Sequence, residues 1–166
     1  MLKSFQQVVD RMPNAYLMIL GQGPLKEDLI ELTNRLAISE KVLLPGMRPD
    51  VGAFLSLANV FVFPSFFEGL PLALIEAMSK GLPCIVSKIE TLRDLAKDQE
   101  TALLVTPGSV DELADAMLEL YASPAKRTVL GDRAQQETNA KFHIGVTIGQ
   151  WEKLYFRLAS NNEREA

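Results

Sequence analysis

Along nearly the whole chain, short apolar runs rich in β-branched and aromatic residues alternate with segments of helical period, and the loops between them are short. Strands separated by helices pair in parallel, and a parallel sheet needs a helix layer on each face. The alternation therefore predicts an α/β fold, a doubly wound and mainly parallel sheet with helices on both faces. In order, residues 2–11 carry Leu2, Phe5, Val8 and Val9 on one side and Lys3, Gln6, Gln7, Asp10 and Arg11 on the other, a helix ending before Pro13. Residues 15–20 read as a buried strand, 25–36 as a helix and 42–44 as a strand, and Asp50 is placed to cap a brief helix through Leu57. Residues 59–63 and 84–86 are strands flanking a helix closed by Gly81. A short helix over 92–96 and a strand over 102–105 follow. Ser109 with Glu112 three residues on forms a capping box for a helix over 110–121. Pro124 opens another helix. A last one carries Trp151, Leu154, Tyr155 and Leu158, a row that reads as packing surface, before a polar tail expected to fray over 160–166.

One domain is expected over residues 1–160, since 166 residues bury a full core without disulfides or metals. The formal charge of −4 gives no general attraction to nucleic acid, so a nucleotide, if bound, is held locally. No run approaches the length of a membrane-spanning helix, and residues 1–7 are too polar for a signal peptide, which makes the cytoplasm the expected compartment. The single cysteine, Cys84, lies in a strand and reads as a buried, inert thiol. The single histidine, His143, has no second histidine or cysteine pair to make a zinc site and reads as a helix-junction residue.

The candidate chemistry centres on residues 67–78. The strand before them ends at Pro64 and Ser65, Gly69 loosens the turn, and Pro71 suits the first turn of a helix, where its missing N–H costs nothing. A strand, a glycine-bearing loop and a helix N-terminus present unpaired amides and a partial positive charge above the sheet, a place for an anion and most often a phosphate. Glu68 falls in the loop, and Glu76, eight residues on, lies between Ile75 and Ala77 on an almost uncharged helix. A charge in such surroundings calls for a partner or a ligand.

Ligands of parallel sheets sit at the carboxyl ends of the strands, here the loops 21–24, 45–49, 64–70 and 87–90. The Gly21-Gln22-Gly23-Pro24 turn stands where a dinucleotide fingerprint would, but Lys26 holds the place of its third glycine, so it is as readily a structural turn as a ligand loop. A dinucleotide oxidoreductase built on it is the reading from a different enzyme class. Arg48, Lys80 and Lys88 are cations within reach of a diphosphate, and solvated surface residues on the bland reading.

Residues 68–83, Glu-Gly-Leu-Pro-Leu-Ala-Leu-Ile-Glu-Ala-Met-Ser-Lys-Gly-Leu-Pro, resemble the E-x7-E signature of the retaining, nucleotide-sugar-dependent "group 1" glycosyltransferases of the GT-B fold. Residues 17–24 are similar to that family's strand and G-x-G-P turn, 58–65 to its strand ending in Pro-Ser, and 102–108 to its Leu-Leu-Val-x-Pro-Gly strand, so the likeness covers residues 2 to about 158. The resemblance implies a C-terminal, donor-binding domain. Glu68 would accept hydrogen bonds from the donor sugar near its anomeric centre, and Glu76 would hold the ribose hydroxyls. The amides of Gly69, Leu70 and Leu72 would take sugar and phosphate oxygens, with Pro71 fixing the turn. Met47 and Arg48 would meet the base through backbone groups, and Gly21 and Gly23 would line the same cleft. It implies a UDP-, GDP- or ADP-sugar as donor substrate, with no metal and no further cofactor.

The chain departs from the family where Ala102 replaces a glycine and Lys88 a small or acidic residue, and nothing at positions 1–10 matches the Arg and Lys that the family sets on its diphosphate. The family's first strand and N-terminal acceptor domain have no counterpart, which leaves a donor grip expected to transfer little alone and to touch a membrane only as part of a full-length enzyme. The alternative is a stand-alone nucleotide-sugar-binding module or subunit without catalysis of its own. With the other domain absent, the strand-end loops and the last helix are expected to expose apolar surface that drives self-association.

Overall fold

The computed structural model describes residues 1–162. Its most buried strand is β4, Cys84–Ser87, all four residues of which are inaccessible. It is launched by Pro83 and flanked in parallel by β3, Phe61–Phe63, and β5, Ala102–Val105. A strand buried on both faces has no polar side to show, which is why Cys84, Ile85 and Val86 are all apolar; Ser87, at the end of the strand, is buried with its hydroxyl unpartnered among the described residues. Burial pushes the Cys84 thiol up to about 12, so it stays protonated and inert, as expected.

Side chains alternate across this sheet into two cores. On one face, Val60, Val62, Ile85, Leu103 and Val105 meet α1, Leu2–Val9, and α5, Val110–Ala122. On the other, Phe61, Cys84, Val86 and Ala102 meet Leu55 of α3, Val51–Leu57, Leu74, Ala77 and Met78 of α4, Leu72–Ser79, and Ala134 of α6, Pro124–Phe142. Helices thus cover both faces, and the chain is a parallel α/β domain.

The sheet is divided, however. β1, Leu17–Leu20, and β2, Val42–Gly46, form a separate parallel pair, with Leu17 opposite Val42 and Met18 opposite Leu43. One face of this pair, with Leu17, Ile19 and Val42, joins the first core together with Leu29, Leu32 and Leu36 of α2, Lys26–Arg35, and its continuation. On the other face Met18 and Leu43 are 41% and 47% exposed. The expected buried strand over 15–20 is therefore buried on one face only. The reason is that α3 is seven residues long and sends Leu55 into the second core.

Residues 92–96 are not the short helix expected. A 3-10 turn over Glu90–Leu92 runs into a turn in which the amides of Leu95 and Ala96 both donate to the Leu92 carbonyl. Leu92, Leu95 and Ala96 drop into the core, and Gln99, at φ +59°, reverses the chain into β5. Asp50 occupies the N-cap position of α3 without capping it, because its carboxylate is taken by Arg48. The capping box expected at Ser109 forms by half: Ser109 Oγ accepts from the Glu112 amide, but the Ser109 amide donates to the Thr106 carbonyl, and the Glu112 carboxylate instead accepts from the Thr106 amide at 2.7 Å. His143 joins α6 to α7, Ile144–Asn162, its Nδ1 accepting from the Gly145 amide at 3.2 Å. Helix α7 runs to Asn162, into the stretch expected to fray. The rest of that tail, 163–166, lies outside the described residues. Among the described residues no helix is long and apolar enough to cross a membrane.

Candidate functional site

Because the strands are parallel within each sheet, the loops that follow β3, β4 and β5 leave one edge together, and those after β1 and β2 leave theirs together. The first pair is tied: Gly21, at φ +132°, donates its amide to the Gly46 carbonyl at 2.9 Å, and Gly46 itself sits at φ +76°. These backbone angles suit glycine, and open space surrounds Gly21, Gly23 and Gly46. In the other set, the Lys88 amide donates to the Val105 carbonyl at 2.8 Å. The Phe66 ring lies over Gly108, where a β-carbon would come within 3.2 Å of it. The loop carrying Glu68 is thereby braced against the loop after β5.

Helix α4 is fixed from below by Leu74, Ala77 and Met78, all fully buried. Pro71 stands one position ahead of the helix, and its carbonyl takes the amides of Leu74 and Ile75 at 3.0 and 3.1 Å. The Leu72 amide donates to the Leu70 carbonyl at 3.0 Å. The amides of Gly69, Leu70 and Ala73 have no acceptor among the described residues. Of the three amides singled out from the sequence, Leu72 is engaged within the turn. Ala73 supplies a free donor that the sequence reading missed, because backbone pairing leaves no side-chain signature.

Glu68 is half-buried in the loop, and its carboxylate makes no hydrogen bond or ion pair among the described residues. Desolvating a carboxylate without a partner is costly, so this is the group most in need of a ligand. Glu76 is exposed, contrary to the reading from its apolar neighbours. Leu74, Ala77 and Met78 take the buried side of α4 and leave Glu76 toward solvent, likewise unpaired. Arg48 is committed within its own loop. It grips Asp50 bidentately at 3.0 and 3.1 Å and lies 5.3 Å from the centre of the Phe54 ring. The hydrogen bond and charge of Asp50 raise the Arg48 pKa, and that of Asp50 is lowered in return. At Arg48 the loop therefore offers a ligand its backbone, and beside it the Met47 side chain is exposed. Lys80 caps the far end of α4 with its ammonium near Gly52, away from the Glu68 turn, whereas Lys88 stays exposed at the strand ends.

Large apolar side chains crowd these loops: Met47, Phe66, Phe67, Leu70 and Leu72 are all exposed, Phe67 at 82%. Residues 69–71 also wall an open depression of about 490 Å³ with Thr91, Leu95 and Phe142. Neither glutamate lines it. The arrangement at Glu68 can seat an anion on unpaired amides while a carboxylate accepts hydrogen bonds from hydroxyl groups beside it, the combination that a phosphorylated sugar requires.

The sequence matches the family described as glycosyl transferases group 1 over residues 1–137. It is 36% identical over 150 residues to the Escherichia coli UDP-Gal:alpha-D-GlcNAc-diphosphoundecaprenol alpha-1,3-galactosyltransferase, covering 90% of this chain and 38% of that protein. The structure resembles the sucrose-phosphate synthase of Thermosynechococcus elongatus with a TM-score of 0.83 at 27% identity, over 96% of this chain and 42% of the other. It resembles Anabaena Alr3699/HepE, solved in complex with UDP-glucose, with a TM-score of 0.84 at 22% identity, over 96% and 44%, a likeness of fold. The chain spans about two fifths or less of the length of the first curated relatives it matches.

Proposed function

The chain belongs to the group 1 glycosyl transferases, and from that premise we propose that it is the nucleotide-sugar-binding C-terminal domain of a GT-B enzyme that moves a hexose from a nucleoside diphosphate sugar to a glycan or lipid acceptor with retention at the anomeric carbon. The observation that carries this reading is the Glu68 turn. A half-buried carboxylate without a protein partner stands beside the free amides of Gly69, Leu70 and Ala73, at the carboxyl edge of a parallel sheet. The E. coli relative takes UDP-galactose by its name, and HepE holds UDP-glucose, both of which support a nucleotide-sugar donor.

In this reading the diphosphate lies on the α4 N-terminus, where amides and helix dipole favour negative charge before and after the sugar leaves. Glu68 accepts hydrogen bonds from the hexose close to its anomeric carbon. Glu76, exposed and unpaired, holds the ribose hydroxyls, and the backbone at Met47 and Arg48 meets the base. The bond from the anomeric carbon to the phosphate oxygen breaks, releasing the nucleoside diphosphate onto the α4 amides, while a bond to the acceptor hydroxyl oxygen forms and that hydroxyl's proton passes to the departing phosphate. The acceptor and its positioning come from a second domain, so this chain alone binds donor without transferring it. The compartment proposed is the cytoplasm, at the inner face of the membrane when the acceptor is a lipid. No metal or further cofactor is assigned a role.

Titration calorimetry and thermal unfolding with UDP, GDP, ADP and their hexose derivatives test this. A ligand at one hundred times its dissociation constant stabilises the folded state by about 2.7 kcal/mol. Glu76→Ala removes charge-assisted hydrogen bonds worth about 1.5–3 kcal/mol and should weaken every matching nucleotide roughly 10- to 100-fold. Glu68→Ala should leave the free nucleotide bound and lose preference among sugars. Equal affinity of the wild type and both variants for all these ligands would overturn the assignment.

A further inference from the structure

We propose that the depression beside the Glu68 turn is a saccharide subsite, and that it holds a unit of the acceptor glycan remote from the reacting hydroxyl. Its volume of about 490 Å³ falls within the range of about 300–1,000 Å³ that small-molecule sites occupy. Residues 69–71 form one wall, whereas neither Glu68 nor Glu76 lines it. The facing wall exists because residues 92–96 do not form a helix. With Leu92, Leu95 and Ala96 drawn into the core, Thr91, Arg93 and Asp94 are left exposed at the opening. Helix α6 is fastened to this turn twice: the Lys141 ammonium donates to the Asp94 carbonyl at 2.7 Å, and Lys97 pairs with Glu137 at 2.8 Å. The rim is therefore formed before a ligand arrives, and binding need not order it.

The lining suits a polyol. Leu70 and Phe142, 65% and 41% exposed, offer apolar surface to the C–H face of a sugar ring. Around them stand both kinds of hydrogen-bonding group. The Asp94 carboxylate has no partner among the described residues and can accept from hydroxyls. Arg93 gives one N–H to Glu90, at 3.0 Å, and keeps others to donate, as does the Lys141 ammonium. A sugar hydroxyl donates and accepts at once, so it uses both kinds. A phosphate fits less well. The lining cations Arg93, Lys97 and Lys141 are matched by the carboxylates of Glu90, Asp94 and Glu137, and Asp94 would repel it.

The assignment to an acceptor rests on the donor-binding reading, and the saccharide site itself does not. A donor on the Glu68 turn and a saccharide in the depression both touch residues 69–71, which sets them side by side. The second domain still presents the reacting hydroxyl. The depression then favours acceptors that carry a further sugar beyond the one being modified.

Amide-resolved NMR of the chain tests this, with maltose, lactose, diacetylchitobiose and mannobiose as saccharide probes, pyrophosphate as the anionic probe, and UDP-glucose and GDP-mannose as donors. At least one disaccharide should shift the amides of Thr91, Asp94 and Phe142, with a dissociation constant on the order of millimolar for so open a site, whether or not a donor is bound. Phe142→Ala and Asp94→Asn should each weaken it about tenfold or more, and Phe142→Tyr should retain it. Unchanged donor affinity and unchanged resonances over 84–87 report that the variants are folded. No shift of these amides by any of the disaccharides at about 50 mM would overturn the subsite, as would shifts that survive in Phe142→Ala and Asp94→Asn. Shifts caused by pyrophosphate and not by the sugars would replace it with an anion site. Displacement of the disaccharide by a nucleotide sugar would make the depression part of the donor cleft and overturn the acceptor assignment. Disaccharide binding in a chain that takes no nucleotide sugar would keep the subsite and remove the donor reading, and with it the acceptor assignment.

Discussion

A β-carbon on Gly131 would stand 2.1 Å from the carbonyl oxygen of Gly81, a contact with backbone that no side-chain movement relieves. Helix α6 comes this close so that its Ala134 can share the core of α4, and Gln135 Nε2 donates to the Ser79 carbonyl at 2.9 Å alongside. Gly131→Ala should therefore destabilise the protein by about 1–3 kcal/mol, the usual cost of overpacking, despite the better helix propensity of alanine. Gly149, in α7, has open space where a β-carbon would stand, with nothing within 4 Å, and Gly149→Ala should stabilise by up to about 1 kcal/mol. Urea unfolding of the two variants checks the contrast, and equal effects would refute the packing account. Gly131 carries no sign of this in the sequence, because the approach is made by residues fifty positions away. Glu68 was legible for the opposite reason: a charge beside two phenylalanines at a strand-to-helix turn is locally anomalous. Glu76 was misread on the same logic, since apolar neighbours along a helix do not say which side of it faces the core.

At the scale of elements, the start of α5 is the most fully specified. Ser109 and Glu112 satisfy two amides between them, and the Thr106 amide, with a lesser share from Ser109 and the Lys88 charge, holds the Glu112 carboxyl below its ordinary value of 4.5. A depressed carboxylate pKa in the folded state means that its contribution is complete above 4.5 and is lost as pH falls through the lower folded value. Glu112→Gln should lower stability at neutral pH and lose less on acidification than the wild type does. Chemical denaturation at pH 7 and again below pH 4.5 measures both; parallel acid loss in the two proteins would show that the group contributes nothing to the pH dependence. The Ser109 half of this arrangement was readable because its three-residue spacing is local; the reach of Glu112 to the Thr106 amide, set by the turn before the helix, was not. Strand β4 was readable too, since its apolar run Cys84-Ile85-Val86 between Pro83 and Ser87 reads as a strand. The run over 15–20 looked the same, yet an apolar stretch cannot report how many helices cover it, and α3 is too short to reach across Met18 and Leu43. Residues 92–96 had the right composition for a helix, and tertiary burial of Leu92 and Leu95 with the left-handed turn at Gln99 overrode it.

Over the whole molecule, exposed apolar surface is concentrated in the strand-end loops and along α7. In the helix, Ile144, Ile148, Trp151, Tyr155 and Leu158 recur at alternating intervals of four and three residues, and all five are at least half exposed. That average spacing of 3.5 residues keeps one stripe facing a partner helix along its length. Trp151 and Tyr155 stack loosely on each other, with centroids 5.9 Å apart, and leave their outer faces to solvent. Two copies meeting along this stripe would bury on the order of 1,000 Å² in all, at the lower end of specific interfaces, so the association should be weak and reversible. Sedimentation velocity should show the mean coefficient rising with concentration from micromolar to hundreds of micromolar. Replacing Trp151 and Tyr155 together by glutamine should suppress the rise with little loss of fold stability, because both positions are already open to water. A monomer at every concentration in the unsubstituted chain would count against the stripe as a contact surface. A rise that persists in the doubly substituted chain would move the contact to Phe66, Phe67, Leu70 and Leu72, in which case saturating nucleotide sugar should reverse it by occupying the same loops.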